Sequence, residues 1–317
     1  MKKIAVLVLA LILALSAAAL AEFPEKQITV VCPYAAGGAS DTTSRIYAAM
    51  LQEIAGVPVI VDNRTGANGS VGMEFGAHSD PDGYTITYMP VESVLNKFEG
   101  RGEITTDDFS FIGLAMTIPA AITVRADSEW ETFEDFLAYA KENPGDITVG
   151  NSGAGSIWHV AAAVVEDVCD IELDHIPYPD GAAAAIAGLL GGEIDAVAVS
   201  GAEVSTYVAD GTLKTLVILG SNRCSAESLK DVPTAKEVGY EVAVEGWGGF
   251  AVPAGTDEAV VAKLVELSTD AINSDDMKEL LASKGYEHSY MDGAAADAYA
   301  KAQLDYYSEL LPTLELG

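Results

Sequence analysis

Apolar residues along this chain fall into short runs separated by turn residues, and two kinds of run alternate. Residues 28–32 are apolar apart from one threonine, the pattern of a strand buried on both faces. A loop of small residues follows at 33–40. An amphipathic stretch then predicts a helix over 41–54, with Asp41 as its N-cap and Gly56 as its stop. Strands over 57–61 and 84–89 enclose a Gly/Asn-rich loop at 62–70, a short helix over 71–78 and the turn Asp80-Pro81-Asp82-Gly83. Strands joined through helices imply a parallel sheet with right-handed crossovers.

The same order restarts in mid-chain. Thr132 with Asp135 reads as a capping box opening a helix that Asn143-Pro144-Gly145 ends. Strands over 147–150, 174–177 and 196–200 alternate with helices over 156–168 and 181–190. A strand over 247–252 precedes a helical last third, with helices over 257–273, 275–284 and 294–311. This grammar predicts two α/β lobes. No Pro-, Ser- or charge-rich stretch marks a flexible linker, so the chain is expected to cross between lobes through extended strands.

The first residues set the compartment. Lys2 and Lys3 precede an apolar run over 4–15, and Ala19-Leu20-Ala21 offers the small-x-small pattern of a cleavage site. The run is short for a membrane span, so 1–21 reads as a signal peptide cut after Ala21, and the protein as exported. Lys and Arg number 17 against 48 Asp and Glu, a net charge of −31. That surface repels nucleic acid and anionic lipid, which removes both as partners. Cys32, Cys169 and Cys224 show no metal spacing and leave an odd thiol; a Cys169–Cys224 bridge has no local support. The four histidines are scattered, so neither a metal nor a cofactor is expected.

Two loops carry the candidate chemistry. Ala35-Ala36-Gly37-Gly38-Ala39-Ser40 and Asn151-Ser152-Gly153-Ala154-Gly155-Ser156 each follow a strand and open a helix. Their small side chains let backbone N–H groups approach a ligand, and a helix N-terminus adds partial positive charge. One loop per lobe could clamp a small acid from both sides. Neither matches GxxxxGK[ST] or a full GxGxxG.

The residues then resemble a known family, the tripartite tricarboxylate transporter solute receptors of the Bug or TctC-like type. Phe23-Pro24-Glu25-Lys26-Gln27-Ile28, Pro33-Tyr34-Ala35-Ala36-Gly37-Gly38 with Asp41, and Asp62-Asn63-Arg64-Thr65-Gly66-Ala67-Asn68-Gly69 are similar to its opening motifs. Pro81-Asp82-Gly83-Tyr84-Thr85, Gly150–Ser156 with His159, His175-Ile176-Pro177-Tyr178, Gly191-Gly192-Glu193-Ile194-Asp195, Asp231-Val232-Pro233-Thr234 and Phe250–Thr256 continue the match in order over nearly the whole mature chain. The resemblance implies a two-lobed, type II-like periplasmic binding fold that closes like a flytrap. Each lobe would be a mixed, mostly parallel sheet flanked by helices, with 22–124 plus 247–317 in one and 125–246 in the other. It implies a monomeric receptor that hands a small carboxylate, an organic acid or an amino acid, to the membrane subunits of such a transporter. Carried over onto matching positions are Ala36, Gly37, Gly38 and Asp41, then Ser152, Gly153 and Ser156. Tyr34, Asn68, Asn151, Gly155 and Tyr178 complete the candidates from the same motifs. Tyr178-Pro179-Asp180-Gly181 is one residue longer than the family's usual form and lacks its Lys, and Val199-Ser200 stands where Asp-Asn is usual. The part of the pocket near Ser200 therefore departs from the family.

Single residues keep alternative readings. Glu92 and Ser93 follow the third strand, where they would face the cleft; Glu92 there would favour a ligand pairing a carboxylate with a neutral or cationic group, or it simply faces solvent. Trp247 either floors the pocket or is core. His159 reads as a helix-face or core histidine. A secreted serine hydrolase is the rival enzyme reading, with Ser152 in a near elbow and Asp195 and His288 in hydrolase order, but the last elbow position is Ala154 and no HGGG-type loop is present. A receptor for another importer class, or for a sensor, is the rival within binding proteins.

Overall fold

The computed structural model describes residues 23–179 and 181–314, so the signal-peptide reading lies outside the described residues. In chain order the first half carries β1 (Ile28–Cys32), α1 (Ala39–Ala55), β2 (Val59–Asn63), α2 (Ser70–Ala77), β3 (Thr85–Pro90), the single turn α3 (Glu92–Leu95), β4 (Phe109–Arg125) and α4 (Phe133–Glu142). Then follow β5 (Thr148–Asn151), α5 (Ile157–Cys169), β6 (Asp174–Pro177), α6 (Ala182–Gly191), β7 (Ala196–Ser200), α7 (Gly201–Ala209), β8 (Leu213–Leu219) and β9 (Glu245–Pro253). The chain ends with α8 (Glu258–Ile272), α9 (Asp275–Lys284), β10 (Glu287–Asp292) and α10 (Gly293–Leu310).

The sheet has two halves that share one strand. β2, β1 and β3 pair in parallel, and β9 then joins β3 antiparallel. In the other half β6, β5 and β7 pair in parallel. The seventeen-residue β4 belongs to both. Its residues Phe109–Pro119 pair with β9, whereas Ala120–Arg125 pair with β7 on one side and β8 on the other. The return crossing is equally extended: Ala120 N–H donates to the Val244 carbonyl at 3.0 Å and Val244 N–H to Leu219 at 2.7 Å. The result is a two-lobed, mixed α/β fold with helices flanking each half-sheet, as the alternating pattern predicts.

Local chemistry explains the element ends. Gly56 closes α1 in the left-handed conformation, φ 71°, a position that costs glycine little. Both bonds of the Thr132/Asp135 capping box form. Asp41 is a correction: the N-cap of α1 is Gly38, and Asp41 lies in the first turn, where it reaches back rather than caps. In the first lobe Tyr47 of α1 stacks on Phe250 of β9 with centroids 3.6 Å apart, and Tyr88 meets the same ring edge-on at 5.5 Å. All three rings are buried. Cys32, Cys169 and Cys224 are each free and buried.

Phe250 ties α1, β3 and β9 together, so Phe250→Ala should cost about 3–5 kcal/mol of unfolding free energy. Denaturant titration of the two proteins reads this directly; a loss under 1 kcal/mol would mean that the aromatic cluster relaxes around the void.

Candidate functional site

Helices need acceptors for the N–H groups of their first turn, because those groups have no partner within the helix. Six helices of this chain obtain one from a side chain: Thr132, Ser156, Ser200, Asp257, Ser274 and Asp292 cap α4, α5, α7, α8, α9 and α10. Among the described residues α1, α2, α3 and α6 have no side-chain cap. Those four begin around one cleft of about 610 Å³, which is lined by Gly38 and Ala39, by Asn68 just before α2, by Val91 and by Gly181. α1 belongs to one lobe and α6 to the other.

The first loop is held rigid from behind. Asp41 is buried, and its carboxylate accepts from Gly37 N–H at 2.8 Å, Asn63 Nδ2 at 2.8 Å and Arg45 Nε at 2.9 Å. Burial alone would raise its pKa, but these bonds outweigh it and hold the carboxyl below the usual range. Gly37 sits at φ 94°, and its N–H is spent on Asp41. The residues of this helix start that line the cleft are Gly38, Ala39 and Ser40.

The loop after β5 satisfies most of its own groups. Gly153 N–H donates to Asn151 Oδ1 at 3.0 Å, Gly155 N–H to His159 Nδ1 at 3.0 Å, and Ser156 N–H to the Gly153 carbonyl at 3.1 Å. Ser156 Oγ accepts from His159 N–H. His159 is buried, and burial followed by the neighbouring His175 lowers its pKa to about 4, so it stays neutral as an acceptor. What remains for the cleft is Ser152, together with Ile157 and Trp158 from the start of α5. The second helix N-terminus that opens on the cleft is that of α6, at Gly181.

Of the residues singled out from sequence, the structure gathers Tyr34, Ala36, Gly38, Asn68, Glu92, Ser152 and Trp247 around the cleft. Gly37, Asp41, Asn151, Gly153, Gly155 and Ser156 stand behind it, bracing the two loops through the bonds above. Ser93 is buried without a partner for its hydroxyl. Tyr178 fills the notches left by Gly150 and Gly188, and Ser200 caps α7 through Glu203. Sequence reasoning missed Gly181 and Glu203. Both left a signal: a glycine with no capping side chain before an apolar helix, and the Ser-x-x-Glu spacing after β7.

The cleft is acidic. Among the described residues its lining holds Glu92 from the first lobe and Glu203 from the second, and no Lys or Arg. Burial raises the pKa of Glu92 against its own backbone N–H, the Tyr34 phenol and the charge of Arg101. Glu203 is open to the cleft, yet the protein around it raises its pKa against the bonds from Ser200. Trp247, 2% exposed, also lines the cleft and leaves its indole N–H without an acceptor.

One contact ties the lobes at the rim. Arg101 Nη2 donates to the Ala154 carbonyl at 2.9 Å, while its Nη1 lies 2.9 Å from Glu99. The pair is an ion pair without a hydrogen bond to either Glu99 oxygen. Burial, which Arg101 only partly offsets, raises the Glu99 pKa to about 7. The hydrolase constellation does not assemble: Asp195 is bonded to Thr148 N–H and Oγ1, and His288 Nε2 to the Ile272 carbonyl in the other lobe.

The model of the tripartite tricarboxylate transporter family receptor, TctC, matches residues 43–316. The chain belongs to this family. A TctC solute-binding protein from Polaromonas is 36% identical, with a TM-score of 0.83 over 92% of this chain and 100% of that one. The periplasmic binding protein BugD is 29% identical with a TM-score of 0.74, over 92% of this chain and 98% of its own. A UPF0065 protein from the gbd 5′ region of Cupriavidus necator is 33% identical over 273 residues, 86% of this chain and 82% of the relative. TctC proteins are solute-binding receptors, and the cleft is where this TctC fold brings its two lobes face to face.

A raised carboxyl stabilises the fold below its unfolded pKa and loses that contribution as pH rises through the folded value. For Glu99 the window runs from about 4.5 to about 7. Wild type should therefore lose up to about 3 kcal/mol relative to Glu99→Gln across that window. Denaturant unfolding of both proteins at intervals between pH 4.5 and 7.5 measures it; parallel curves would mean that Glu99 ionises like an exposed carboxyl.

Proposed function

We propose that this TctC protein is an exported, periplasmic receptor that captures a small carboxylate-bearing solute between its lobes and delivers it to the membrane subunits of a tripartite transporter. The observation that carries the reading is the pair of uncapped helix starts, α1 at Gly38 and α6 at Gly181, on opposite walls of one cleft. Each offers backbone donors and the positive end of a helix, so a carboxylate is the chemical complement of both. Ser152 adds a hydroxyl donor. A leader over 1–21 and a monomeric mature chain complete the proposal.

The lobes are divided where β4 changes partners, between Pro119 and Ala120, and at the return near Val244. Two extended crossings form a hinge, and closing on a ligand brings both helix starts onto it. Release then needs no Lys or Arg to be parted from the anion. Delivery to a transporter is assigned on family membership.

Ala39 is the first residue of α1, the one helical position where proline fits and deletes only an N–H. Gly38 before it is already extended, φ −78° and ψ 179°, as a residue preceding proline must be. With a carboxylate found by thermal-shift screening, Ala39→Pro should weaken binding by about 10- to 150-fold in calorimetric titration. Its apo melting point should stay near wild type. Unchanged affinity would remove the α1 start from the binding site, and a screen in which no carboxylate raises the melting point would refute the receptor reading.

A further inference from the structure

The anion-binding features of the cleft account for one end of a ligand. They do not account for the charges of Glu92 and Glu203, although Glu203 also completes the capping box of α7. These carboxylates come from opposite lobes, Glu92 at the start of α3 and Glu203 in the first turn of α7, and both line the same cavity as the two uncapped helix starts. Among the described residues neither takes part in an ion pair. Glu203 is positioned by the Ser200 hydroxyl and backbone N–H, and Glu92 lies beside the Tyr34 phenol. Two acids facing one cavity whose described lining holds no Lys or Arg are unfavourable unless something positive or hydrogen-bond-donating enters with the ligand. The unfilled Trp247 indole N–H in the same wall independently marks the cavity as a ligand site, since buried donors are ordinarily satisfied, and it calls for an acceptor such as a carboxylate oxygen.

Resting on the receptor reading above, we infer that the solute is a zwitterion: its carboxylate meets the α1 and α6 starts, and its ammonium or other cationic nitrogen lies between Glu92 and Glu203. The cavity then discriminates by sign. A dicarboxylate would place its second acid against two like charges. An acid with a methyl end would leave both glutamates without a counter-charge. Both glutamates come from opposite lobes, so a cation bound by both also favours the closed form.

The test uses probes that share a carbon chain and differ at one end: 4-aminobutyrate, butyrate and succinate, then 5-aminovalerate, valerate and glutarate, and alanine against propionate. Each is titrated calorimetrically into the wild-type mature protein, Glu92→Gln and Glu203→Gln at pH 7.5. Glutamine at position 203 still completes the capping box with Ser200, so the start of α7 is kept. The expected result is that, in at least one set, the amino acid binds roughly tenfold or more tightly than its partners, and that each variant removes most of that advantage. Tighter binding of the dicarboxylate in both sets that contain one would overturn the inference while leaving the carboxylate receptor standing, because it would show the glutamates to be neutral donors. Variants that bind the amino acid like wild type would overturn it as well. Failure of every probe, dicarboxylates and simple acids included, counts against the receptor reading itself.

Discussion

A helix start that no side chain caps must find its acceptors elsewhere, and this requirement organises the site. Six helices settle it with Ser, Thr or Asp. Among the described residues four do not; α2 and α3 turn to backbone carbonyls, Val71 N–H to Gly66 and Val91 N–H to Trp247, which leaves α1 and α6 open on the cleft. Uncapped ends scattered over the surface would be satisfied by water and would mean little. Gathered on facing walls, their free N–H groups offer an anion donors from peptide dipoles. A chain of net charge −31 can thus attract an anion at short range while its surface stays acidic, since the long-range repulsion is screened beyond about 10 Å.

The scaffold behind those ends is stiff for the same reason. Asp41, Asn63 and Arg45 lock the first loop, and Asn151, His159 and Ser156 lock the second. Most polar groups of the two loops are spent on each other, which leaves few donors to aim at a ligand and fixes their directions. Between the lobes run two extended crossings, the Arg101–Ala154 contact at the rim and the Ser225 N–H to Glu287 bond at 2.6 Å. Rigid walls joined by narrow crossings allow movement of whole lobes while each half of the site keeps its geometry.

Much of this was legible in the sequence because it is written in local patterns. β1, β6, β7 and α9 fall where hydrophobic runs and caps place them, and Thr132/Asp135 behaves as its spacing demands. β4 was not legible. Its pairing partners lie more than seventy residues away, and a run that is buried throughout has no period to read. The uncapped start of α6 escaped because a missing cap is an absence, and only the fold places Gly181 on the cleft. Asp41 was assigned the role its residue type favours, capping ahead, when the backbone instead turns at Gly37 and lets it reach back. Glu203 was hidden for a similar reason: its partner Ser200 announces a cap, while the cleft beyond it depends on the other lobe.

The central claim is that one solute carboxylate is held by backbone N–H groups from both lobes at once. Amide chemical shifts of the isotopically labelled mature protein, followed during titration with a carboxylate that raises its melting point, report on those groups directly. The account predicts that the amides of Ala39 and Ser40 in α1 and of Ala182 and Ala183 in α6 move together, downfield, along one saturation curve. Shifts confined to one lobe, or large changes elsewhere with these four amides still, would contradict it.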